Sequence, residues 1–593
     1  MRTPTVFAAG LALALGLCAL PFSSFMADDF IQLAVLERAL PANPLVVFNL
    51  YTLADGSPQQ IQTLKNLGAL PWFFDPAFKM AFFRPLSSAS VALDHALFGL
   101  NPVGYQIHVA LWFVVLVVGV GSLYAASLRA EAPDPTTRGS RLGPLALLLF
   151  TISGIHGMLC WTATRHIVIA GAIGTLALYA HVRWREEGWR PGRWLAVIGV
   201  ALSLSASEAA LGTLAFLFAY EAFGADGSGR SRMRASLPFV CVLAAYFAMY
   251  RLLGLGTAGG SDYLDPFADP YTYLIQLPGR VVFLIAAMLM GGHADLWVIR
   301  PDFRPALIVA AMLITCAAGV LLRATWATLS ATEQRTTRWL FAGTFLSTLP
   351  FAGSPIGDRC LIVPWIGGAL VIASVLTQWW TVIRRQPGLS NRLLGALCWS
   401  LAVIHLVLAP VHRLAAAPLF RRMMFQDLAD AVGGQNLGGE PVAGRTVVVL
   451  RAPDLRIGLH GYFFRQLYHL PMPAAWRVLS WAPFAHRFHR TAADTMEMEL
   501  VDGELRAPFL VAGDVIEVSG MQATVTAVGH NGPTRVRFRF DRSLDDPTLL
   551  FLMWKDGRLQ PIAPPAIGET LDVPRRPGAL AAPQPGLYRP ARV

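Results

Sequence analysis

Two adjacent carboxylates, Asp28 and Asp29, follow directly after the first apolar segment of the chain. An ionisable side chain at a membrane boundary is unfavourable unless it faces water or a ligand, so the pair is a candidate functional site. Adjacent residues point about 100° apart on a helix and to opposite faces of a strand, so the two cannot aim equally at one atom. We expect one of them to accept a proton from a hydroxyl group and the other to support it. An acidic cap at the exit of the first helix is the alternative.

Further charged residues occur at the ends of apolar segments: Arg84, Asp94, His156, Arg165, Glu208, Asp358 and Arg359. Guanidinium groups make paired, charge-assisted bonds to phosphate oxygens, so the outer turn from His156 to His166, which contains Trp161 and Arg165, could hold a lipid-linked phosphate. Arg84 could bind phosphate as well.

Structural roles for the same residues stay open. Arg84 could instead pair with Asp94, and Asp358 could neutralise its neighbour Arg359. Glu208 could pair with one of the cations or cap the helix that follows it.

The composition indicates a membrane protein. Of the 593 residues, 54% are hydrophobic and 14% are charged, which is too apolar for one soluble core. The formal net charge is +11, but the arginines lie mostly in short loops, where they determine topology and contact anionic lipid. Nucleic acid is therefore excluded as a partner, and membrane lipids are expected. All six cysteines lie in or beside apolar segments, so neither a disulfide framework nor a metal cluster is expected.

A spanning helix needs roughly 20 apolar residues, and we predict an all-α polytopic bundle of about 11 transmembrane helices. The candidate spans are 4–22, 106–128, 143–160, 166–182, 194–207, 209–224, 235–254, 305–322, 338–352, 360–380 and 393–410. The first is expected to be a retained signal-anchor helix, because Phe25 stands where a small residue would precede a cleavage site after Ala27.

The distribution of arginines predicts the topology. Arginine clusters belong on the cytoplasmic side, and they agree only if the apolar stretch 279–291 does not cross but dips in from outside or lies on the surface. The N-terminus is then cytoplasmic, and the protein is integral to the cytoplasmic (inner) membrane. Loop 23–105, loop 255–304 and everything beyond 411 are expected to be extracytoplasmic (periplasmic).

The chain changes character after residue 410. Apolar and polar residues alternate in runs such as 446–450, 515–518, 524–528 and 534–540, separated by Gly, Asn and Asp, which is typical of strands. We predict a transmembrane domain over 1–410, an extracytoplasmic β-rich domain over 411–573 and a disordered tail over 574–593.

The order of these pieces resembles the polytopic glycosyltransferases of the C-type fold (GT-C). An acidic pair after helix one is followed by Arg-Pro-Leu at 84–86, Leu-Phe-Gly-Leu-Asn-Pro at 97–102, a His-to-Arg turn, a Ser-Glu turn at 207–208 and Arg-Cys-Leu-Ile-Val-Pro at 359–364. The resemblance covers roughly residues 1–410, and its most specific part is 83–108. It is nearest to the branch of protein O-mannosyltransferase-like and tetratricopeptide-bearing transferases.

The resemblance implies an inverting transferase that moves a sugar from a polyprenyl-phosphate donor to a hydroxyl group of a protein or glycan acceptor outside the cytoplasmic membrane. It implies that Asp28 is the base, with Asp29 beside it, and that Arg165 and Arg359 hold the donor phosphate. The chain departs from the family at Gly157, where Glu is frequent. It also has Ser207 in place of Lys and Cys360 in place of Tyr, and no tetratricopeptide array follows.

Other classes of function remain possible from the sequence alone. A polytopic transporter or lipid flippase would place charges near the midplane, in helices broken in paired halves. A non-catalytic membrane assembly factor would leave the Asp pair dispensable. No nucleotide-phosphate loop or metal-ligand cluster is present, although the two acids could hold a divalent cation.

Overall fold

The structure is a computed structural model that describes residues 2–39, 43–129, 141–259, 263–385 and 389–576. The predicted disordered tail therefore lies, after its first three residues, outside the described residues. Most of the described chain up to residue 432 is helical, and most of it beyond that point is β-structure.

The helices are α1 Arg2–Cys18, α2 Asp28–Ala39, α3 Pro58–Leu67, α4 Pro85–Phe98, α5 Pro102–Ser127, α6 Leu142–Ile152, α7 Arg165–Glu187, α8 Arg190–Ala206, α9 Ala210–Phe223, α10 Gly229–Leu252, α11 Pro270–Leu289, α12 Leu296–Ile299, α13 Arg304–Trp326, α14 Ala331–Phe351, α15 Trp365–Arg385, α16 Leu389–Val403, α17 Ala409–Phe420, α18 Asp427–Val432 and α19 Gly461–Leu467. Local sequence explains several boundaries. Pro occupies the first turn of α4 and α5, where its missing N–H is not needed, and Asn101 caps α5 by accepting from the Val103 N–H.

Within the described residues, seven helices are long and apolar enough to cross a membrane, or eight if α6 and its bent continuation Gly154–Cys160 form one span. They are Thr3–Phe22, Pro102–Ser127, Thr162–Glu187, Gly229–Leu252, Pro270–Leu289, Pro301–Trp326 and Arg392–Val432. Six of the seven coincide with predicted spans, but the predicted total of about 11 is not confirmed. One reason is length, because α9 and the apolar part of α15, Trp365–Trp379, have fewer residues than a bilayer core requires.

The candidate that matches no predicted span is α11. It contains most of the stretch 279–291, which was predicted not to cross. By length and composition it could span a membrane, but its contacts place both of its flanks at one end of the bundle. The Leu264 N–H, the Tyr273 hydroxyl and the Arg280 guanidinium all donate to carbonyls between residues 349 and 354. After the helix ends, Asp295 accepts from the Asp358 N–H at 3.4 Å. That this stretch does not cross the membrane stays a prediction.

The β-strands form four sheets. They are β1 Thr52–Asp55, β2 Lys79–Ala81, β3 Gly256–Ala258, β4 Asn436–Leu437, β5 Glu440–Pro441, β6 Thr446–Arg451, β7 Ala475–Ser480, β8 His486–Ala492, β9 Thr495–Leu500, β10 Val515–Val518, β11 Met521–Val528, β12 Pro533–Phe540, β13 Leu549–Lys555, β14 Arg558–Pro561 and β15 Thr570–Val573. A six-stranded antiparallel sheet has the order β10-β11-β12-β9-β8-β15, and a mixed sheet has the order β14-β13-β6-β7. Strands occur at every run where alternation predicted one.

The β-rich region shares one hydrophobic core with residues 25–105. The Trp72 indole N–H donates to the Leu479 carbonyl at 3.1 Å, and Arg477 donates to carbonyls at the end of α3. Phe30 of α2 packs edge-on against Phe464 of α19, with ring centroids 5.3 Å apart. The helix that begins with the Asp pair is therefore supported from behind by the C-terminal part of the chain.

Candidate active site

A cleft of about 160 Å³ opens at the end of the bundle, where α2 meets the loop before α4, the turn before α7, the turn between α8 and α9, and the segment after α14. Its charged residues are Asp28, Arg84, Glu208 and Arg359, and its ring-bearing polar residues are Tyr51, Trp161, His166 and Tyr263. These segments are far apart in sequence, and each was predicted to lie at the outer ends of helices.

The two aspartates occupy different environments at the start of α2. Asp28 is half-buried and lines the cleft. Asp29 is only 2% exposed, and its Oδ2 accepts a hydrogen bond from the Met26 N–H at 2.9 Å. Its Oδ1 is buried with no hydrogen-bond partner among the described residues. The angular separation of adjacent helical residues explains why only one of the pair faces the cleft.

Burial dominates the protonation of Asp29. Loss of hydration raises the pKa of its carboxyl from 3.8 to about 8, against the smaller opposing effects of the Met26 N–H and of Arg165. Asp29 is therefore mostly neutral at pH 7, so Asp28 does not have a second full negative charge beside it.

Arg84 is held at the cleft by an ion pair and by stacking. Its Nε donates to Glu208 Oε2 at 2.8 Å, and its guanidinium lies 4.2 Å from the ring centroid of Phe82 and 5.0 Å from that of Tyr51. Glu208 also accepts from the Tyr250 hydroxyl at 3.3 Å. The bond to Glu208 Oε2 uses one of the five N–H donors of the Arg84 guanidinium.

Arg359 comes from a segment far from Arg84 in the sequence, but it lines the same cleft. Its Nη2 donates to the Pro355 carbonyl at 3.2 Å, and its guanidinium is 5.9 Å from the ring of Trp161. Among the described residues, no carboxylate oxygen lies within 4.0 Å of its nitrogens. The Trp161 indole N–H donates to the Met26 carbonyl at 3.0 Å. Trp161 therefore contacts both Arg359 and the loop before the Asp pair.

Two ring side chains of the cleft, Tyr51 and Tyr263, were not found from the sequence, whereas His166 ends the predicted outer turn. His166 Nδ1 is 2.8 Å from Ser207 Oγ, and the rings of Tyr51 and His166 meet edge-on at 5.4 Å. Burial raises the pKa of Tyr51 to about 12 and raises that of Tyr263, so both phenols stay neutral donors. The two tyrosines gave no signal because they stand in no recognisable motif.

The structure does not bring Arg165 to the cleft. Its side chain is 1% exposed, forms an ion pair with Asp94 and donates to Ser90 Oγ at 3.3 Å. Asp94 Oδ1 lies 2.6 Å from His108 Nδ1. The alternative pairing of Arg84 with Asp94 is therefore wrong, because Asp94 is enclosed between α4, α5 and α7 while Arg84 points to the turn after α8.

His156 also lies away from the cleft. It is 2% exposed, its Nε2 is 2.8 Å from the Phe150 carbonyl, and its ring packs between Phe113 and Phe150. Its assigned role in donor-phosphate binding stays a prediction, as does that of Arg165.

Asp358 turns away from its neighbour Arg359. Its Oδ1 accepts from the Ala294 N–H at 2.6 Å, and its Oδ2 is 3.9 Å from His412 Nε2. Neutralisation of Arg359 by Asp358 is therefore wrong. Burial raises the pKa of Asp358, and burial beside Asp358 raises that of Asp295 to about 6.

Among the described residues, no group of three or more His, Cys, Asp or Glu side chains is arranged to hold a metal ion. A divalent cation in the cleft stays a prediction.

Comparison with known proteins gives only distant likenesses. No protein-family profile and no curated protein matches the chain. ArnT from Cupriavidus metallidurans bound to undecaprenyl phosphate is similar with a TM-score of 0.39 and 12% identity, over 79% of this chain and 85% of that one. The arabinofuranosyltransferase AftD from Mycobacteria is similar with a TM-score of 0.37 and 14% identity, over 91% of this chain but 40% of that one. At these values the likenesses do not identify a family for the chain.

Proposed function

We propose that the chain is a membrane glycosyltransferase that moves a sugar from a polyprenyl-phosphate donor to a hydroxyl acceptor, with inversion at the anomeric carbon. The observation that carries this proposal is that the carboxylate Asp28 and the cations Arg84 and Arg359 line one cleft at the end of the helical bundle. The resemblance of residues 1–410 to glycosyltransferases of the C-type fold supports the same assignment.

The chemistry follows from the charges that change during the reaction. The acceptor oxygen attacks the anomeric carbon as the bond from that carbon to the phosphate oxygen breaks, and the electron pair leaves with the phosphate. Asp28 takes the proton of the attacking hydroxyl group. Arg84 and Arg359 stabilise the negative charge that grows on the phosphate. A single displacement from the face opposite the phosphate inverts the configuration.

Buried ionisable residues beside the cleft support this arrangement. The neutral carboxyl of Asp29 fixes the loop before α2 through Met26, while the ion pair of Arg165 with Asp94 holds the start of α7, which carries His166. We propose that the cleft faces the extracytoplasmic side of the cytoplasmic membrane, with the N-terminus on the cytoplasmic side. The acceptor is a protein or glycan hydroxyl group.

A transporter or lipid flippase is less consistent with the position of the charges. Such a protein uses ionisable residues near the membrane midplane, whereas Asp28, Arg84 and Arg359 stand at helix ends or in the turns beside them. A non-catalytic assembly factor would not need the carboxylate of Asp28.

The test is turnover of a panel of radiolabelled polyprenyl-phosphate sugars by the purified protein in lipid. Asp28→Asn should lower kcat about 10²- to 10⁴-fold, the range typical of a lost general base. Asp29→Asn should lower kcat much less, because an amide can still accept from the Met26 N–H. Arg359→Gln should reduce turnover, whereas Arg558→Gln, at an exposed arginine of β14, serves as the matched control.

Two results would overturn the assignment. One is absence of turnover by the wild-type protein across the panel with crude acceptors. The other is turnover that survives Asp28→Asn in a protein that inserts and folds normally, since the cleft would then not be the catalytic site.

A further inference from the structure

A second cavity, of about 40 Å³, lies between α1, α5, the turn after α6 and α17. Its polar lining residues are Gln106, His156 and Arg413, and Gly16, Phe113 and Cys160 form part of its apolar wall. It shares no lining residue with the cleft that contains Asp28. Of the residues that the sequence grouped as possible phosphate ligands, Arg84 and Arg359 line the cleft, His156 lines this second cavity, and Arg165 lines neither.

Arg413 is the cation of this cavity. It stands in the long apolar helix Arg392–Val432 and is 8% exposed. Its guanidinium donates to the Thr151 carbonyl and lies 4.7 Å from the ring centroid of Phe113. Among the described residues, no carboxylate oxygen lies within 4.0 Å of it. A buried guanidinium in an apolar helix is strongly unfavourable without a countercharge, so an anionic ligand would stabilise it.

His156 provides a second polar group of known character. Its Nε2 lies 2.8 Å from the Phe150 carbonyl, which fixes the proton on that nitrogen. Its Nδ1 is then an acceptor, and it is buried with no partner among the described residues. The cavity therefore offers a cation to an anion and an acceptor to a hydroxyl group.

The entrance of the cavity is apolar. Cys18 near the end of α1 is exposed, and Leu414 of α17 is 51% exposed. Both residues belong to helices that are long and apolar enough to cross a membrane, so the acyl chains of a lipid could reach this entrance. A ligand with a charged head and an apolar tail matches a cavity whose interior is polar and whose entrance is apolar.

We propose that this cavity of about 40 Å³ takes the hydroxyl-bearing end of the headgroup of an anionic phospholipid, as in phosphatidylglycerol, while the rest of the lipid lies outside it. The phosphodiester pairs with Arg413, a headgroup hydroxyl donates to His156 Nδ1, and the acyl chains leave between α1 and α17. The site does not depend on the glycosyltransferase function proposed above.

The test is lipid binding to the purified full-length chain in detergent, measured by native mass spectrometry and by the thermal unfolding midpoint. Phosphatidylglycerol and phosphatidylcholine with identical acyl chains are compared. The wild-type protein should retain phosphatidylglycerol at least tenfold more strongly and unfold at a higher temperature with it. Arg413→Gln should abolish this preference, whereas Arg422→Gln, at an exposed arginine further along the same helical segment, should retain it.

Three results would overturn the proposal. They are equal retention of the two lipids by the wild-type protein, an equal loss of preference in Arg422→Gln, or displacement of phosphatidylglycerol from the Arg413 site by polyprenyl phosphate. If Arg413→Gln does not fold, Arg413→Lys keeps the positive charge and should keep part of the preference, and the comparison of lipids on the wild-type protein needs no variant.

Discussion

Replacing Asp29 by Asn should change how the stability of the protein depends on pH. In the folded protein, burial holds the pKa of Asp29 at about 8, whereas in the unfolded chain it returns to about 3.8. Between these two values the folded state binds more protons than the unfolded state, so stability falls as pH rises. Above pH 8 both states are ionised and the slope disappears.

The size of the effect follows from the shift. One pKa unit corresponds to about 1.4 kcal/mol. Raising the pH from 5 to 7 should therefore cost the wild-type protein on the order of 3 kcal/mol at this one position. Asn cannot ionise, yet its side-chain oxygen can still accept from the Met26 N–H. Asp29→Asn should therefore not lose this free energy of unfolding, so its stability relative to wild type should rise by the same amount between pH 5 and pH 7.

The measurement is equilibrium unfolding in mixed micelles at pH 5, 6 and 7 for both proteins. Subtracting the two pH dependences removes the contribution of every other titrating group. Asp556→Asn, at an exposed turn, is the control for an Asp-to-Asn change without burial. If wild type and Asp29→Asn lose stability in parallel between pH 5 and 7, Asp29 is not held neutral by burial, and the account of the Asp pair fails.

Three further changes test other contacts. Glu208→Gln removes the countercharge of Arg84. Product inhibition by polyprenyl phosphate should then strengthen roughly fivefold in a competition assay, which is equivalent to about 1 kcal/mol. Unchanged inhibition would mean that Arg84 does not bind the phosphate. Asp94→Asn leaves its arginine partner buried without a countercharge and should destabilise the protein by about 3–5 kcal/mol in micelle unfolding, whereas an unaltered midpoint would contradict the ion pair. Trp72→Phe removes the indole donor to the Leu479 carbonyl and should cost about 1 kcal/mol, seen as faster proteolysis of the C-terminal part; equal cleavage rates would refute this.

The membrane class and the strands could be predicted because each depends on a local pattern. Apolar runs and alternating residues are properties of short windows, and six candidate spans and the runs at 446–450 and 534–540 fall where those windows put them. The number of spans could not be predicted equally well. Whether a helix of 14 residues such as α9 counts as a span depends on its neighbours rather than on its own composition.

The members of the cleft could be predicted better than their partners. The sequence placed Arg84, Glu208 and Arg359 at the outer ends of helices, and all three line the cleft. It could not predict that Arg84 pairs across 124 residues with Glu208, because the choice of partner depends on which helices adjoin. The same reason separates Arg165 from the cleft, since its partner Asp94 is 71 residues away in the chain.

The core that joins α3 and the Asp-bearing helix to the β-rich region has a consequence for biosynthesis. Trp72 and Leu479 are 407 residues apart, so at roughly 5–20 residues per second a ribosome needs about 20–80 s to add the second after the first. During that interval α2 lacks Phe464, and the apolar residues that await the last strands stay uncovered. A chain that ends before β7 has every residue that lines the cleft, but its α2 lacks the support of the C-terminal core and its uncovered apolar surface is open to proteases.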